Sequence, residues 1–237
     1  MKTKKDLIHI SKSIIVACDT DLDLYKKILH ETHDIPGISA YKVGVELGLR
    51  YGLPEVVSIA KDITDKPIIY DHQKACTDIP EMGHKFVKVC KEAGLDAIIY
   101  FPLSGPQSQK EWIEAARDQD MTVLLGGYMS HPQFLVSEGG YIHDERVINL
   151  YNLAYEMGIR DFIIPSTKLH LFSNLPFAQK DTKLNYYLTG LILQGGKIQE
   201  VDTLLKERYH CIIGRAIYGS DNIIREISLK LLEEFHC

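Results

Sequence analysis

The 237-residue chain has no run near the roughly 18 consecutive apolar residues that a membrane-spanning helix requires, and its first residues lack the apolar core of a signal peptide. These absences predict a cytoplasmic protein with no membrane partner. Basic runs are missing as well: "MKTKK" at the start is too short to serve as a nucleic-acid arm, and 27 Lys and Arg face 32 Asp and Glu for a net charge of −5. Nucleic acid is therefore not an expected partner. No CxxC or HxxxH spacing occurs, which argues against a locally assembled metal site. The five cysteines (Cys18, Cys76, Cys90, Cys211, Cys237) are odd in number and widely spaced, so they read as free thiols in a reducing compartment. "HETH" (His30 to His33) sets two histidines on one helical face, and reads as a solvated helix end. Finally, no Pro/Gly/Ser-rich linker or low-complexity stretch interrupts the chain, which predicts one domain over residues 1–237.

What the chain does contain is a regular alternation. Short apolar, β-branched runs recur eight times: "SIIVACD" (13–19), "ISAYKVGV" (38–45), "KPIIYD" (66–71), "LDAIIYFP" (95–102), "MTVLLGGYM" (121–129), "RDFIIPS" (160–166), "LNYYLTG" (184–190) and "HCIIGRA" (210–216). Near-continuous apolarity is what strands covered on both faces require, as in a parallel sheet. Amphipathic segments lie between them. The clearest runs from Asp78 to Gly94, where Ile79, Met82, Phe86, Val89, Cys90 and Ala93 predict one apolar stripe. Further helices are predicted over 106–119, 143–158 and 221–235, whereas "KLHLFSNLPFAQKD" after the sixth run reads as a loop with at most a short helix. Eight strands in βα alternation fit an α/β fold of the (β/α)8 TIM-barrel type, for which about 250 residues is ordinary. An open doubly wound sheet is the competing arrangement, since alternation alone does not close a barrel.

In a barrel, function gathers at the C-terminal ends of the strands. Those positions hold Asp19, Lys42, then Asp71, Lys74 and Asp78, then Ser130, Ser166 and Thr167, then Gln194, Gly195 and Gly196, and last Gly214 and Arg215. Every one is polar or glycine, which points to a small anionic ligand. The glycines of "TGLILQGG" and "IIGRAIYGSDN" fall where loops seven and eight of a barrel bind phosphate through backbone N–H groups, and Arg215 adds a planar cationic fork. An interstrand salt bridge at the rim is the other reading of Arg215. "DHQKACTD" (71–78) crowds Asp71, Lys74 and Asp78 near Lys42, either as a structural ion-pair network or as a charged catalytic pocket. No separate nucleophile or metal motif accompanies it, so chemistry in that pocket would proceed by electrostatics and proton transfer.

Taken in order, "IIVACD", "YKVG", the Asp/Lys/Asp cluster, "AGLDAII", "MSHP", "IPSTK", "QGG" and "IIGRAIYGSDN" resemble the orotidine 5′-phosphate decarboxylase family along nearly the whole chain. The resemblance implies a (β/α)8 barrel acting as a homodimer, without metal or organic cofactor, that converts orotidine 5′-monophosphate to uridine 5′-monophosphate in pyrimidine biosynthesis. It implies a catalytic array of Lys42, Asp71, Lys74 and Asp78, with Asp78 reaching into the partner subunit's site and Lys74 donating the proton to C6. By the same resemblance Asp19 holds a ribose hydroxyl and Ser130 contacts the pyrimidine. Gln194, Gly195, Gly214 and Arg215 hold the phosphate.

Three features depart from the family pattern. The usual D-x-K-x-x-D motif here reads D-x-x-K-x-x-x-D, which requires a bulge at the strand end if the lysine is to keep its place. Met82 stands where a ribose-contacting threonine is usual, and "LTGLILQGG" replaces the usual Pro-Gly approach to the phosphate loop. Two other readings follow from these departures. One is a magnesium-dependent hexulose phosphate synthase or ketogulonate phosphate decarboxylase of the same barrel group, in which a glutamate replaces Lys42. The other is an inactive relative that retains only the nucleotide-phosphate site.

Overall fold

The computed structural model describes residues 6–173, 175–191, 201, 205, 208–219 and 223–233, with the backbone alone at 73 and 74. Eight parallel strands close into a barrel in sequence order: β1 (Lys12–Cys18), β2 (Ile38–Val43), β3 (Ile68–Ala75), β4 (Ala97–Tyr100), β5 (Thr122–Gly126), β6 (Asp161–Pro165), β7 (Asn185–Thr189) and β8 (Tyr209–Ile213). The ring is completed by β1 pairing with β8, Ile14 opposite Cys211 and Val16 opposite Ile213. Closure disposes of the open-sheet alternative.

Alternation along each strand separates two cores. Ile15, Ala17, Ala40, Ile69, Ala97, Ile99, Leu124, Ile163, Tyr187 and Ile212 point into the barrel and form one cluster. Their neighbours one residue away, such as Ile14, Val16, Tyr41, Tyr70, Ile98 and Phe162, point outward beneath the helices. A period of two thus carries the inward face from Ala17 to residue 19, from Ala40 to residue 42 and from Ile69 to residue 71.

The covering helices are α1 (Leu22–Thr32), α2 (Val45–Tyr51), α3 (Leu53–Lys61), α4 (Met82–Glu92), α5 (Pro106–Asp118), α6 (Asp144–Glu156), the five-residue α7 (Leu169–Ser173), a short helix Arg215–Tyr218 and a C-terminal helix Ile224–Glu233. Two of them begin for reasons visible in the sequence. The Asp21 carboxylate accepts the Leu24 N–H at 2.9 Å and caps α1, and Pro106 at the start of α5 sacrifices only an N–H that the helix leaves unbonded. His33 closes α1 with exposed His30 beside it, as expected of a solvated helix end.

Helix α4 differs from its sequence expectation in two ways. It starts at Met82 rather than at Asp78, because residues 79–83 first wind more tightly: Met82 N–H bonds Ile79 O at 3.2 Å and Gly83 N–H bonds Pro80 O at 3.1 Å. Its buried face runs through Gly83, Val87 and Cys90, leaving Ile79 and Val89 exposed. The face is set by α5. A Cβ on Gly83 would meet Trp112 ring atoms at 2.9 Å, so glycine there lets the two helices approach closely.

The N-terminal end of the barrel is filled and polar. His210 Nδ1 and Ser13 Oγ lie 2.7 Å apart, Ser13 Oγ and Ser39 Oγ 2.6 Å apart, and Asp161 accepts from Asn185 at 2.9 Å and from the Tyr187 hydroxyl at 3.1 Å. Below this layer buried Ile8 joins the inner cluster, and Arg208 ties the segment down through Asp6 at 3.2 Å and the Ile8 carbonyl at 3.1 Å. Cys18, Cys76, Cys90 and Cys211 are free thiols, all buried. No helix among the described residues is long and apolar enough to cross a membrane.

Candidate active site

At the opposite end of the barrel the inward face turns from apolar to charged. Lys42, 5% exposed, lies between two carboxylates: its Nζ is 3.1 Å from Asp19 Oδ1, 3.2 Å from Asp19 Oδ2 and 3.2 Å from Asp71 Oδ2. The three side chains come from consecutive strands, one step beyond Ala17, Ala40 and Ile69. Burial alone pulls the Lys42 ammonium down, but Asp71 and Asp19 outweigh it, and the net shift is upward, so the group is a fixed cation. Space for Asp19 comes from a neighbouring glycine: a Cβ on Gly44 would meet Asp19 Oδ1 at 2.4 Å.

This triad forms one wall of a cavity of about 310 Å³. The facing wall is apolar, made by Ile99, Phe101, Met129, Ile163 and Ile212. Ser130 lines the cavity beyond β5, while Gly214 and Arg215 line it beyond β8, together with Thr189 and Tyr218. Arg215 is exposed and forms no ion pair with another described residue. Cationic at one end, charged along one side and apolar along the other, the cavity suits a planar anionic molecule with a remote acidic group.

The stretch "DHQKACTD" continues β3 beyond Asp71, where the sequence reading ended the strand. Tyr70 pairs with Ile98 and Ala75 with Tyr100, so five steps along β3 span only two along β4. The surplus is a bulge, the device that the lengthened motif demands. His72 points outward, with Nδ1 2.6 Å from the Tyr70 hydroxyl and its ring edge-on to Phe86. Cys76 then ends the strand in a left-handed conformation (φ 73°), its carbonyl accepting from Ser104 Oγ at 3.1 Å. The Lys74 backbone belongs to this bulge, and its side chain lies outside the described residues.

Asp78 is exposed and does not line the cavity of its own chain. Its backbone carbonyl accepts from Ser108 Oγ at 2.9 Å, and its carboxylate from the Ile79 N–H at 2.7 Å. Met82 opens α4 and packs against the outer core. Gln194, Gly195 and Gly196 lie outside the described residues. Sequence reasoning missed Phe101, Tyr128, Met129, Thr189 and Tyr218 as lining groups. Thr189 was within reach, since it ends β7 by the same rule that selected the others; the rest are apolar or aromatic, and only the closed ring shows which way they face.

The loop after β5, residues 127–143, is held from two sides. Tyr151 bonds the Gly127 N–H at 2.8 Å and the Ile163 carbonyl at 2.9 Å through its hydroxyl. Buried Lys168, just beyond β6, forms an ion pair with Glu138, whose other oxygen accepts the Phe134 and Leu135 N–H groups at 3.2 and 3.3 Å. The Lys168 bond is the largest influence holding the Glu138 carboxyl below its ordinary range.

Residues 12–228 match the family described as Orotidine 5'-phosphate decarboxylase / HUMPS family. Orotidine 5'-phosphate decarboxylase of Methanocaldococcus jannaschii is 30% identical over 213 residues, 88% of this chain and 92% of the relative. The enzyme of the same name from Methanosarcina barkeri is 29% identical over 229 residues, 94% of this chain and 96% of that one. Among solved structures, the Methanocaldococcus jannaschii orotidine 5'-monophosphate decarboxylase complexed with inhibitor BMP superposes with a TM-score of 0.82 at 27% identity, covering 96% of this chain and all of that one. The match runs from the first residue of β1 into the C-terminal helix and so takes in every strand that supplies the cavity: the chain belongs to the orotidine 5'-phosphate decarboxylase / HUMPS family.

Proposed function

We propose that the protein decarboxylates orotidine 5′-monophosphate to uridine 5′-monophosphate, a carboxy-lyase step of pyrimidine biosynthesis, with no metal or organic cofactor. The observation that carries this reading is Lys42 fixed between Asp19 and Asp71 on one wall of a cavity whose other wall is apolar. In this reading the nucleotide phosphate lies at the β8 end, against Gly214, Arg215, Gln194 and Gly195. Asp19 takes a ribose hydroxyl, and Ser130 the pyrimidine.

The base then lies over β3. Asp71 sits beside the substrate carboxylate and raises the energy of the bound ground state. As the bond from C6 to the carboxyl carbon breaks, its electron pair stays on C6 and carbon dioxide leaves. The Lys74 ammonium stabilises that carbanion and gives it the proton that completes uridine 5′-monophosphate. Lys42 holds Asp71 in place throughout. Phosphate binding, remote from the reacting carbon, supplies the free energy that orders the site. Asp78 completes the array of a second subunit in a homodimer, a role favoured by its exposure beside exposed Ile79.

A magnesium-dependent reaction on the same barrel meets a specific obstacle here: the Lys42 ammonium occupies the place between two carboxylates that a divalent cation would need. Decarboxylation of orotidine 5′-monophosphate, followed by loss of pyrimidine absorbance with chelator present, tests the proposal. Chelator-resistant turnover that disappears in Lys74→Ala supports it. Turnover that requires magnesium, or none at all with tight binding of uridine 5′-monophosphate, overturns it in favour of the metal-dependent or the inactive relative.

A further inference from the structure

The apolar wall of the cavity is built in an unusual way at its centre. Gly126 is the last residue of β5 and, two positions after Leu124, falls on the inward face, where a side chain would project into the cavity floor. It has none, and the space is filled from the neighbouring strand. A Cβ on Gly126 would stand 2.3 Å from Cζ of Phe101 and within 2.8 Å of both flanking ring carbons. Phe101 follows β4, its N–H bonded to the Ala75 carbonyl at 2.8 Å, and its ring is 6% exposed and lines the cavity. The missing side chain and the inserted ring are thus a matched pair, and the ring has taken over the floor.

We propose that Phe101 determines how large a group the pyrimidine can carry at its 5-position. This rests on the orotidine nucleotide reading given above. With the phosphate end at β8 and C6 over Asp71 on β3, the ring position next to C6 is directed at the following strand, β4, where Phe101 stands. A group added at C5 meets the aromatic ring, and the ring is backed by the Gly126 backbone, so it has no room to retreat. Phe101 is in this sense a specificity-determining residue that the charged motif does not reveal.

The pair gives two variants of opposite sign. Phe101→Leu shortens the wall, and Gly126→Ala pushes the ring toward the cavity, because a Cβ cannot coexist with its present position. The readout is the ratio of dissociation constants for 5-iodouridine 5′-monophosphate and uridine 5′-monophosphate, taken by calorimetry on each protein, so that a general weakening of binding cancels. Phe101→Leu is expected to shift the ratio at least tenfold in favour of the iodo nucleotide, and Gly126→Ala at least fivefold against it. A ratio that stays within twofold of the wild type in whichever variant folds, while uridine 5′-monophosphate binds, overturns the role of Phe101 and leaves the proposed function standing. Failure of the wild-type protein to bind uridine 5′-monophosphate overturns the nucleotide reading itself, and the inference with it.

Discussion

Lys42 is the residue on which the charged wall depends. It is the cation shared by Asp19 and Asp71, so replacing it leaves two carboxylates without the charge that joins them. Removing one partner of a fully buried pair costs about 3–5 kcal/mol; here the Asp19 side chain is 49% exposed, and about 2 kcal/mol is the more suitable expectation. Lys42→Met should therefore lower stability by that amount in chemical denaturation and reduce kcat by at least about a hundredfold. A variant that keeps its stability and its kcat would show that the aspartates are held by other contacts. Residues of this kind were legible from sequence: Asp19 and Asp71 each close an apolar run and Lys42 interrupts one near its end, and charge there has no packing role. Their mutual bonding was only partly so. Proximity of all three follows from adjacent strands, β1 to β2 and β2 to β3, but that Asp19 can turn onto Lys42 depends on the room that Gly44 leaves it, and strand periodicity does not carry that information.

Among the elements, the loops separate what pattern can show from what it cannot. The eight strands and the helices after β4 and β5 follow from period and boundary residues, because each element buries a face against the barrel. The start of α4 does not, since the bulge of β3, the left-handed turn at Cys76 and the bonds from Ser104 and Ser108 to the carbonyls of Cys76 and Asp78 are tertiary. The same holds for the loop after β5. Its "MSHP" carries the predicted Ser130, but the ion pair between Lys168 and Glu138 that holds it spans two loops and leaves no local trace. Lys168→Met should release the Phe134 and Leu135 amides, raising their hydrogen exchange by at least about tenfold, a loss of ~1.4 kcal/mol or more in local opening. KM is expected to rise more than kcat falls. Unchanged exchange at both amides would mean that Tyr151 alone holds the loop.

For the molecule as a whole, the polar layer at the closed end sets a pH limit. His210 is pulled down to about 3, by burial first and by the Arg208 charge second. The unfolded chain binds this proton near pH 6.5 and the folded chain does not until about pH 3, so protonation favours unfolding and stability falls as the pH drops through that window. His210→Gln loses the Ser13 contact and begins less stable at pH 7.5, but the gap to the wild type should narrow at pH 6 and again at pH 5. A constant gap across these three points in denaturant titrations would remove His210 as the cause. Assembly is a second property at this scale. Asp78→Ala and Lys74→Ala proteins, each nearly inactive, should recover up to about a quarter of wild-type activity per subunit pair on mixing if sites are shared, and no recovery despite demonstrated subunit exchange would confine Asp78 to its own chain. The seal made by Ile8 and Arg208 has a further consequence, for traffic. With the lower end filled by described side chains, traffic is directed to the mouth at the strands' C-terminal ends, and in the proposed reaction a gas liberated beneath a bound nucleotide must slip out past its host or wait for it to go.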